Sequence, residues 1–104
     1  MSSYEQQCQA DARLAILAEL ARQRDATLNA VNLSRVIDAM GVRRTRDWVD
    51  TQLMRLEEMG AVNVRKFDLP GFGETLVATL TRTGRDHVER RALLAGVTPP
   101  ADEI

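Results

Sequence analysis

The chain has 104 residues, enough for one domain with a modest hydrophobic core. Its formal net charge of −1 gives no overall basic signal for nucleic acid, although residues 43–66 and 82–91 are locally basic. The single cysteine, Cys8, excludes an internal disulfide, and the absence of a membrane-spanning apolar run or a signal peptide pattern predicts a cytoplasmic protein.

The first half of the chain has the 3.6-residue periodicity of helices. Helix 1 is predicted from about Tyr4 to Gln23, with an apolar band broad enough either to be covered on two sides by its own core or to contact a second subunit. A very short strand is predicted around Thr27-Leu28. Asn29 or Asn32 can then cap helix 2, which ends at Gly41.

Residues 45–59 predict a third helix. The Thr45 hydroxyl can accept a hydrogen bond from a free first-turn N–H, Asp47 complements the positive end of the helix dipole, and Gly60 can end the helix. One face is apolar, and the opposite face carries Arg44, Asp47, Thr51, Met54, Arg55 and Glu58. Such a face is typical of a recognition helix or of an ordinary amphipathic helix with a solvated side.

After Gly60 the periodicity changes to two, which predicts a β-hairpin. Val62 and Val64 belong to its first strand, and residues 75–80 form its second strand. Between the strands, Asp68 to Glu74 is predicted to be a loop with a turn at Pro70-Gly71.

The last predicted helix runs from about Arg82 to Ala95, with Thr81 as its cap and Gly96 as its end. His87 is expected to be a surface or partly buried residue of this helix. The two prolines that follow argue against regular structure, so the predicted division is a domain over residues 1–96 and a flexible tail over residues 97–104.

These elements predict an α+β, mainly α fold: a winged helix-turn-helix with three helices, a two-stranded β-hairpin wing and a C-terminal helix. Helices 2 and 3 form the helix-turn-helix. The sequence lacks a glycine-rich phosphate loop, a nucleophile elbow and a cluster of metal ligands, so we expect no catalysis and no cofactor or metal.

Two junctions resemble those of winged-helix repressors of the ArsR and MarR type. Leu53-Met-Arg-Leu-Glu-Glu-Met-Gly-Ala-Val62 resembles their L-x-x-L-x-x-x-G-x-V junction between recognition helix and wing. Ala78-Thr-Leu-Thr-Arg-Thr-Gly84 resembles their L-T-x-x-G exit from the wing. Metal-sensing ArsR repressors use paired cysteines or clusters of histidine and carboxylate. Cys8 and His87 are alone and far apart, so metal sensing is not expected.

The whole chain is also similar to a group of short winged-helix proteins of unknown role encoded by Mu-like bacteriophages and prophages. Three segments carry this resemblance: Asp11-Ala-Arg-Leu-Ala-Ile-Leu17, Arg44-Thr-Arg-Asp-Trp-Val49 and the stretch from Leu80 to Leu93. The resemblance implies a phage or prophage protein.

The fold favours a DNA-binding transcriptional regulator whose third helix enters the major groove of double-stranded DNA. Side chains of the helix would face base edges and phosphates, and cations near its start and at the base of the wing would hold the backbone. The candidate DNA-binding residues are Arg43, Arg44, Thr45, Arg46, Asp47, Thr51, Arg55, Arg65 and Lys66.

The wing tip favours an alternative. Residues 68–74 contain no arginine or lysine, whereas a wing that enters the minor groove normally presents a cation. Leu69 and Phe72 are candidate contacts for a protein, so the chain could be a protein–protein interaction module of a phage that binds no DNA. A homodimer is predicted from the apolar band of helix 1 and the leucines near the end of helix 4.

Overall fold

The computed structural model describes residues 3–101. In chain order its elements are α1 (Tyr4–Arg22), β1 (Thr27–Asn29), α2 (Ala30–Ala39), α3 (Arg46–Glu58), β2 (Val62–Leu69), β3 (Gly73–Leu80) and α4 (Arg82–Val88). The three strands form an antiparallel sheet in the order β1-β3-β2. This arrangement confirms the predicted winged-helix fold and the short strand before α2.

Side-chain caps set the starts of the helices. The Asn29 side chain accepts a hydrogen bond from the Asn32 N–H at 2.9 Å, and the Thr45 hydroxyl accepts one from the Trp48 N–H at 3.1 Å. Asn29 is therefore the cap of α2, and the prediction for Thr45 is confirmed. Gly60 follows α3 with a φ of +78°, a left-handed conformation that ends helices and that glycine adopts without strain.

The core lies where α1, α2 and α3 meet one face of the sheet. Apolar side chains from every layer are buried there, because each of the three helices turns an apolar face toward the sheet. Its principal members are Ile16, Leu17, Leu20, Leu33, Ile37, Val49, Leu53, Leu56, Val62, Ala78 and Leu80.

The wing is longer and its loop shorter than predicted. Strands β2 and β3 pair without a break from Val62 opposite Leu80 to Leu69 opposite Gly73. The predicted loop from Asp68 to Glu74 was wrong, because Asp68 and Glu74 face each other in the ladder and only residues 70–72 lie beyond it. Glycines with positive φ at 71 and 73 let so short a connection close.

The outer side of β2 contacts the end of α3. The Val64 N–H donates a hydrogen bond to a Glu57 carboxylate oxygen at 2.9 Å. Strand β2 lies at the edge of the sheet, and the Val64 N–H points outward from that edge, away from β3.

The C-terminal segment differs most from prediction. Helix α4 ends at Val88, so the helix predicted to reach Ala95 was wrong; Arg90 has a φ of +62° and the chain turns back. It turns around His87, which was predicted to be at the surface or partly buried and is instead fully buried. His87 Nδ1 accepts a hydrogen bond from the Leu94 N–H at 2.9 Å, which leaves Nε2 to donate to the Thr98 carbonyl at 3.0 Å.

The next residues pack against α1. Val97 is buried, the Thr98 hydroxyl donates to Asp11 at 2.6 Å, and the Thr98 N–H donates to the Ala10 carbonyl at 3.2 Å. The flexible tail predicted to begin at Val97 therefore does not begin there, and residues 102–104 lie outside the described part of the chain.

The packing around Gly84 explains why the segment that leaves the wing contains a glycine. A Cβ at this position would overlap the Ala61 carbonyl oxygen and lie 2.7 Å from Leu80 Cδ1. Beside it, the Thr81 hydroxyl donates to the Gly60 carbonyl at 2.6 Å while it accepts from the Gly84 N–H. The first turn of α4 therefore sits directly on the segment that links α3 to β2, and only glycine fits there.

Candidate nucleic-acid interface

The outer face of α3 is exposed, as the periodicity predicted. Val49, Gln52, Leu53 and Leu56 are buried, and the residues on the opposite side of the helix lie in solvent. The exposed members are Asp47, Thr51, Met54, Arg55 and Glu58. Arg44, which was predicted to share this face, lies elsewhere.

Arg44 is held by the first turn of α1. Its guanidinium lies 2.9 Å from a Glu5 carboxylate oxygen and 5.4 Å from the centre of the Trp48 ring. The other Glu5 oxygen accepts a hydrogen bond from the Trp48 indole N–H at 2.7 Å. We call these three side chains the Glu5 cluster. A phosphate could bind Arg44 only by displacing Glu5 or sharing the guanidinium with it.

Electrostatics inside the Glu5 cluster favour the charged forms of both partners. The hydrogen bond from Trp48, followed by the one from Arg44, lowers the pKa of Glu5. The hydrogen bond to Glu5 in turn raises the pKa of Arg44. The cluster is therefore an ion pair at neutral pH.

Arg43 and Thr45 precede α3 and are both exposed. The Arg43 side chain points into solvent, whereas the Thr45 hydroxyl is already occupied by the helix cap. Of the two, Arg43 is the residue that can reach an anion without disturbing α3.

Arg46, which was predicted to hold the DNA backbone near the start of α3, lies between α3 and the wing. Its Nη2 atom lies 3.4 Å from the Thr75 hydroxyl, and its Nε atom is buried without a hydrogen-bond partner. One turn later, burial raises the pKa of Asp50, partly offset by the charge of Arg46. Arg46 therefore serves the contact between α3 and β3.

The remaining candidates on α3 have only weak internal partners. Arg55 lies 3.8 Å from Glu58, and both side chains are more than half exposed. The Thr51 hydroxyl donates to the Asp47 carbonyl at 2.9 Å and keeps its lone pairs for other partners. Exposed pairs of this kind are exchanged easily for other ligands.

On the wing, Arg65 and Lys66 are both exposed. The Lys66 ammonium lies 3.5 Å from Glu74 on the other strand. At the tip, Phe72 is 53% exposed, whereas Leu69 is half-buried. Phe72 therefore remains a candidate protein contact, whereas Leu69, the last residue of β2, is less accessible to a partner.

Sequence reasoning missed three residues of this surface. Glu5 gave no local signal, because its partners lie about forty positions away. Gln52 is buried and accepts a hydrogen bond from Arg13 Nε at 2.9 Å; its spacing from Val49 and Leu56 could have shown that it faces inward. Phe67 is 59% exposed, and its spacing of two from Arg65 could have shown that it lies on the same outward face of β2.

None of the helices within residues 3–101 combines the length and apolar character that a membrane crossing needs. In the same part of the chain, no three His, Cys, Asp or Glu side chains gather as a metal ion would require.

No family model matches the chain, and no curated protein is significantly similar to it in sequence. Among solved structures it is similar to Bacillus subtilis PadR, described in a crystal structure in complex with operator DNA, with a TM-score of 0.59 and 17% sequence identity. The match covers 88% of this chain and 52% of the PadR chain, so this chain spans about half of that protein's length. The likeness shows that the chain has a winged-helix fold. The resemblances to ArsR and MarR repressors and to short phage proteins stay predictions.

Proposed function

We propose that this protein is a DNA-binding transcriptional regulator of phage or prophage type, with α3 as its recognition helix. The observation that carries the proposal is the outer face of α3, which no described element covers and which offers Thr51, Met54 and Arg55 to a groove. The solved PadR structure of similar fold contains operator DNA, which supports DNA binding as the function of this chain.

The exposure and contacts of the candidate residues support different DNA contacts from those expected. In this proposal Arg55 and Thr51 read base edges, and the exposed cations Arg43 and Arg65 bind phosphates. Arg44 would contribute only if a phosphate displaced Glu5 or shared the guanidinium with it, and Arg46 would act through the position of the wing. Asp47 and Glu58 on the same face favour bases that donate hydrogen bonds, such as cytosine.

The test is fluorescence anisotropy with a random-sequence duplex at about 50 mM and about 200 mM salt. We expect binding that weakens steeply with salt, because each neutralised phosphate adds a slope of about 0.9 in the logarithmic plot. The double variant Arg43→Ala, Arg55→Ala should weaken binding about tenfold or more and flatten this slope by about 0.9, because it removes the proposed phosphate contact of Arg43.

Arg24→Ala is the control. Arg24 is an exposed arginine in the turn after α1, and it lies outside α3, the wing and the depression between α1 and α2. Equal losses for Arg24→Ala and for the double variant would contradict a role of α3. No binding at the lower salt concentration would contradict the whole proposal.

We also propose that the protein is a homodimer. A shallow apolar depression between α1 and α2 contains Leu14, Ala15, Ala18, Val36 and Met40, with Asp11 and Arg22 at its edge. Surfaces of this composition commonly pack against a second subunit. A monomer in sedimentation equilibrium at high micromolar concentration would contradict this part of the proposal.

The second candidate function is a protein–protein interaction module in a phage. Two exposed aromatic side chains on one hairpin, Phe67 and Phe72, favour it, because such residues are enriched where proteins bind each other. If the duplex is not bound at either salt concentration, this function takes precedence.

A further inference from the structure

A groove of about 340 Å³ lies on the face of the sheet that points away from the core. We call it the sheet groove. Strand pairing and side-chain alternation place seven of its lining residues on that one face, since the core residues Val62, Ala78 and Leu80 occupy the other. These seven residues are Thr27, Asn29, Arg65, Phe67, Leu69, Thr75 and Val77.

The walls of the sheet groove are mainly apolar. Phe67 lies opposite Thr75, which is buried, and Leu69 and Val77 are half-buried beside them. Over half of the Phe67 side chain remains open to solvent. An apolar body in the groove would cover this ring and gain the free energy of burying it.

The charge of the sheet groove is positive. Arg65 stands opposite Val77, whose other neighbour in the sheet is Asn29, so a cation and an amide flank the apolar floor. Arg65 has no hydrogen-bond or ion-pair partner within residues 3–101. Lys66 also contacts the groove, and no aspartate or glutamate lines it.

An apolar depression of a few hundred Å³ with a small number of convergent polar groups is the usual form of a small-molecule site. A DNA phosphate would satisfy Arg65 but would leave Phe67, Leu69 and Val77 without a partner. The lining therefore fits a molecule that has both an anionic group and an apolar body.

We propose that the sheet groove binds a small organic acid, whose carboxylate pairs with Arg65 and whose hydrocarbon body lies on Phe67, Leu69 and Val77. The carboxylate can take two parallel hydrogen bonds from the guanidinium, and the Asn29 amide is within the same groove. The carboxylate sets the orientation, and burial of the hydrocarbon supplies most of the affinity.

The experiment is an NMR titration of the ¹⁵N-labelled full chain with octanoate and, separately, with octanamide. The two probes share the hydrocarbon chain and differ in charge. We expect octanoate to bind saturably, to shift the amides of residues 65–69 and 75–77, and to bind about tenfold more tightly than octanamide. The titration contains no DNA, so its result is independent of the function proposed for α3.

Two variants and a control locate the site. Arg65→Gln should weaken octanoate about tenfold and leave octanamide unchanged, because it removes only the charge-assisted pair. Phe67→Ala should weaken both ligands, since both bury the ring. Phe72→Ala, a similarly exposed phenylalanine at the tip of the same hairpin and outside the sheet groove, should change neither.

Any of three results would overturn the proposal. The first is the absence of saturable shifts, and the second is octanamide binding as tight as octanoate. The third is an octanoate affinity that is unchanged in both Arg65→Gln and Phe67→Ala while their spectra remain those of the folded protein.

Discussion

The region around His87 and the Glu5 cluster are each organised by one polar side chain that joins separate parts of the chain through hydrogen bonds. His87 is fully buried and joins the Leu94 N–H to the Thr98 carbonyl. The Glu5 side chain is 46% exposed and joins Arg44 to Trp48. In the interior, water cannot replace a lost partner, whereas at the surface it can. The first region should therefore determine stability, and the second should determine where a functional side chain points.

The largest effect is expected from His87→Ala. It leaves two backbone groups without partners and a cavity under the C-terminal segment, so we expect a loss of about 3 kcal/mol in the free energy of unfolding. Urea denaturation measures it, with the exposed Asn63→Ala as a control expected to change stability by less than about 0.5 kcal/mol. Equal losses for the two variants would show that the turn around His87 contributes little.

Gly84→Ala tests how much close packing between α4 and the segment before β2 contributes to stability. The added methyl group would meet a backbone carbonyl oxygen that cannot move freely, so we expect a loss of about 2 kcal/mol. Thr83→Ala is the matched control, because Thr83 is exposed on the same turn of α4. A Gly84→Ala variant as stable as the control would mean that α4 can shift away from Ala61 at little cost.

Glu5→Gln probes the exposed region, where the expected change in stability is small. Trp48 is the single tryptophan, so its fluorescence reports on the cluster directly. Hydrogen bonds lower the pKa of Glu5, so its contribution to stability is present above the unfolded-state value of about 4.3 and is lost as the pH falls through the lower folded-state value. We expect a fluorescence transition of the wild type below about pH 4.3.

The control for this titration is Glu58→Gln, which removes an exposed carboxylate that does not contact Trp48. The transition should persist in Glu58→Gln and disappear in Glu5→Gln. The same transition in both variants would mean that another group titrates beside the indole.

The Glu5 cluster also gives the smallest expected effect, a modest change in DNA affinity. If α3 binds DNA as proposed, Glu5→Gln should tighten binding a few-fold by releasing Arg44. In the Arg44→Ala background the same substitution should have no effect, and this double-mutant cycle separates release of Arg44 from the mere loss of a negative charge. An equal gain in both backgrounds would contradict the positioning role of Glu5.

Local chemistry was sufficient to predict most of the fold. The cap at Thr45, the turn at Gly60 and the change of periodicity after it all depend on neighbouring residues, and all were confirmed. The prediction for the C-terminal helix was wrong beyond Val88. Residues 89–95 have adequate helix propensity, but the hydrogen bonds of His87 stabilise a turn there instead. Tertiary contacts of this kind leave no periodic signal.

The candidate interface was predictable only in part, for the same reason. The exposed positions of Thr51 and Arg55 follow from helical spacing, which can be read from the sequence alone. The positions of Arg44 and Arg46 depend on Glu5 and Thr75, which are distant in the chain. A long side chain at the border of a helix can turn to either side, and a partner found only after folding decides which.

The contact between Glu57 and the Val64 N–H has a consequence for the behaviour of the protein at high concentration. Strand β2 lies at an open margin of the sheet, and an unpaired backbone donor there could recruit the same strand of another molecule. The carboxylate occupies that donor at 2.9 Å and adds a negative charge beside it. Polymerisation through β2 would first have to remove Glu57, so a side chain of the proposed recognition helix also protects the wing from aggregation.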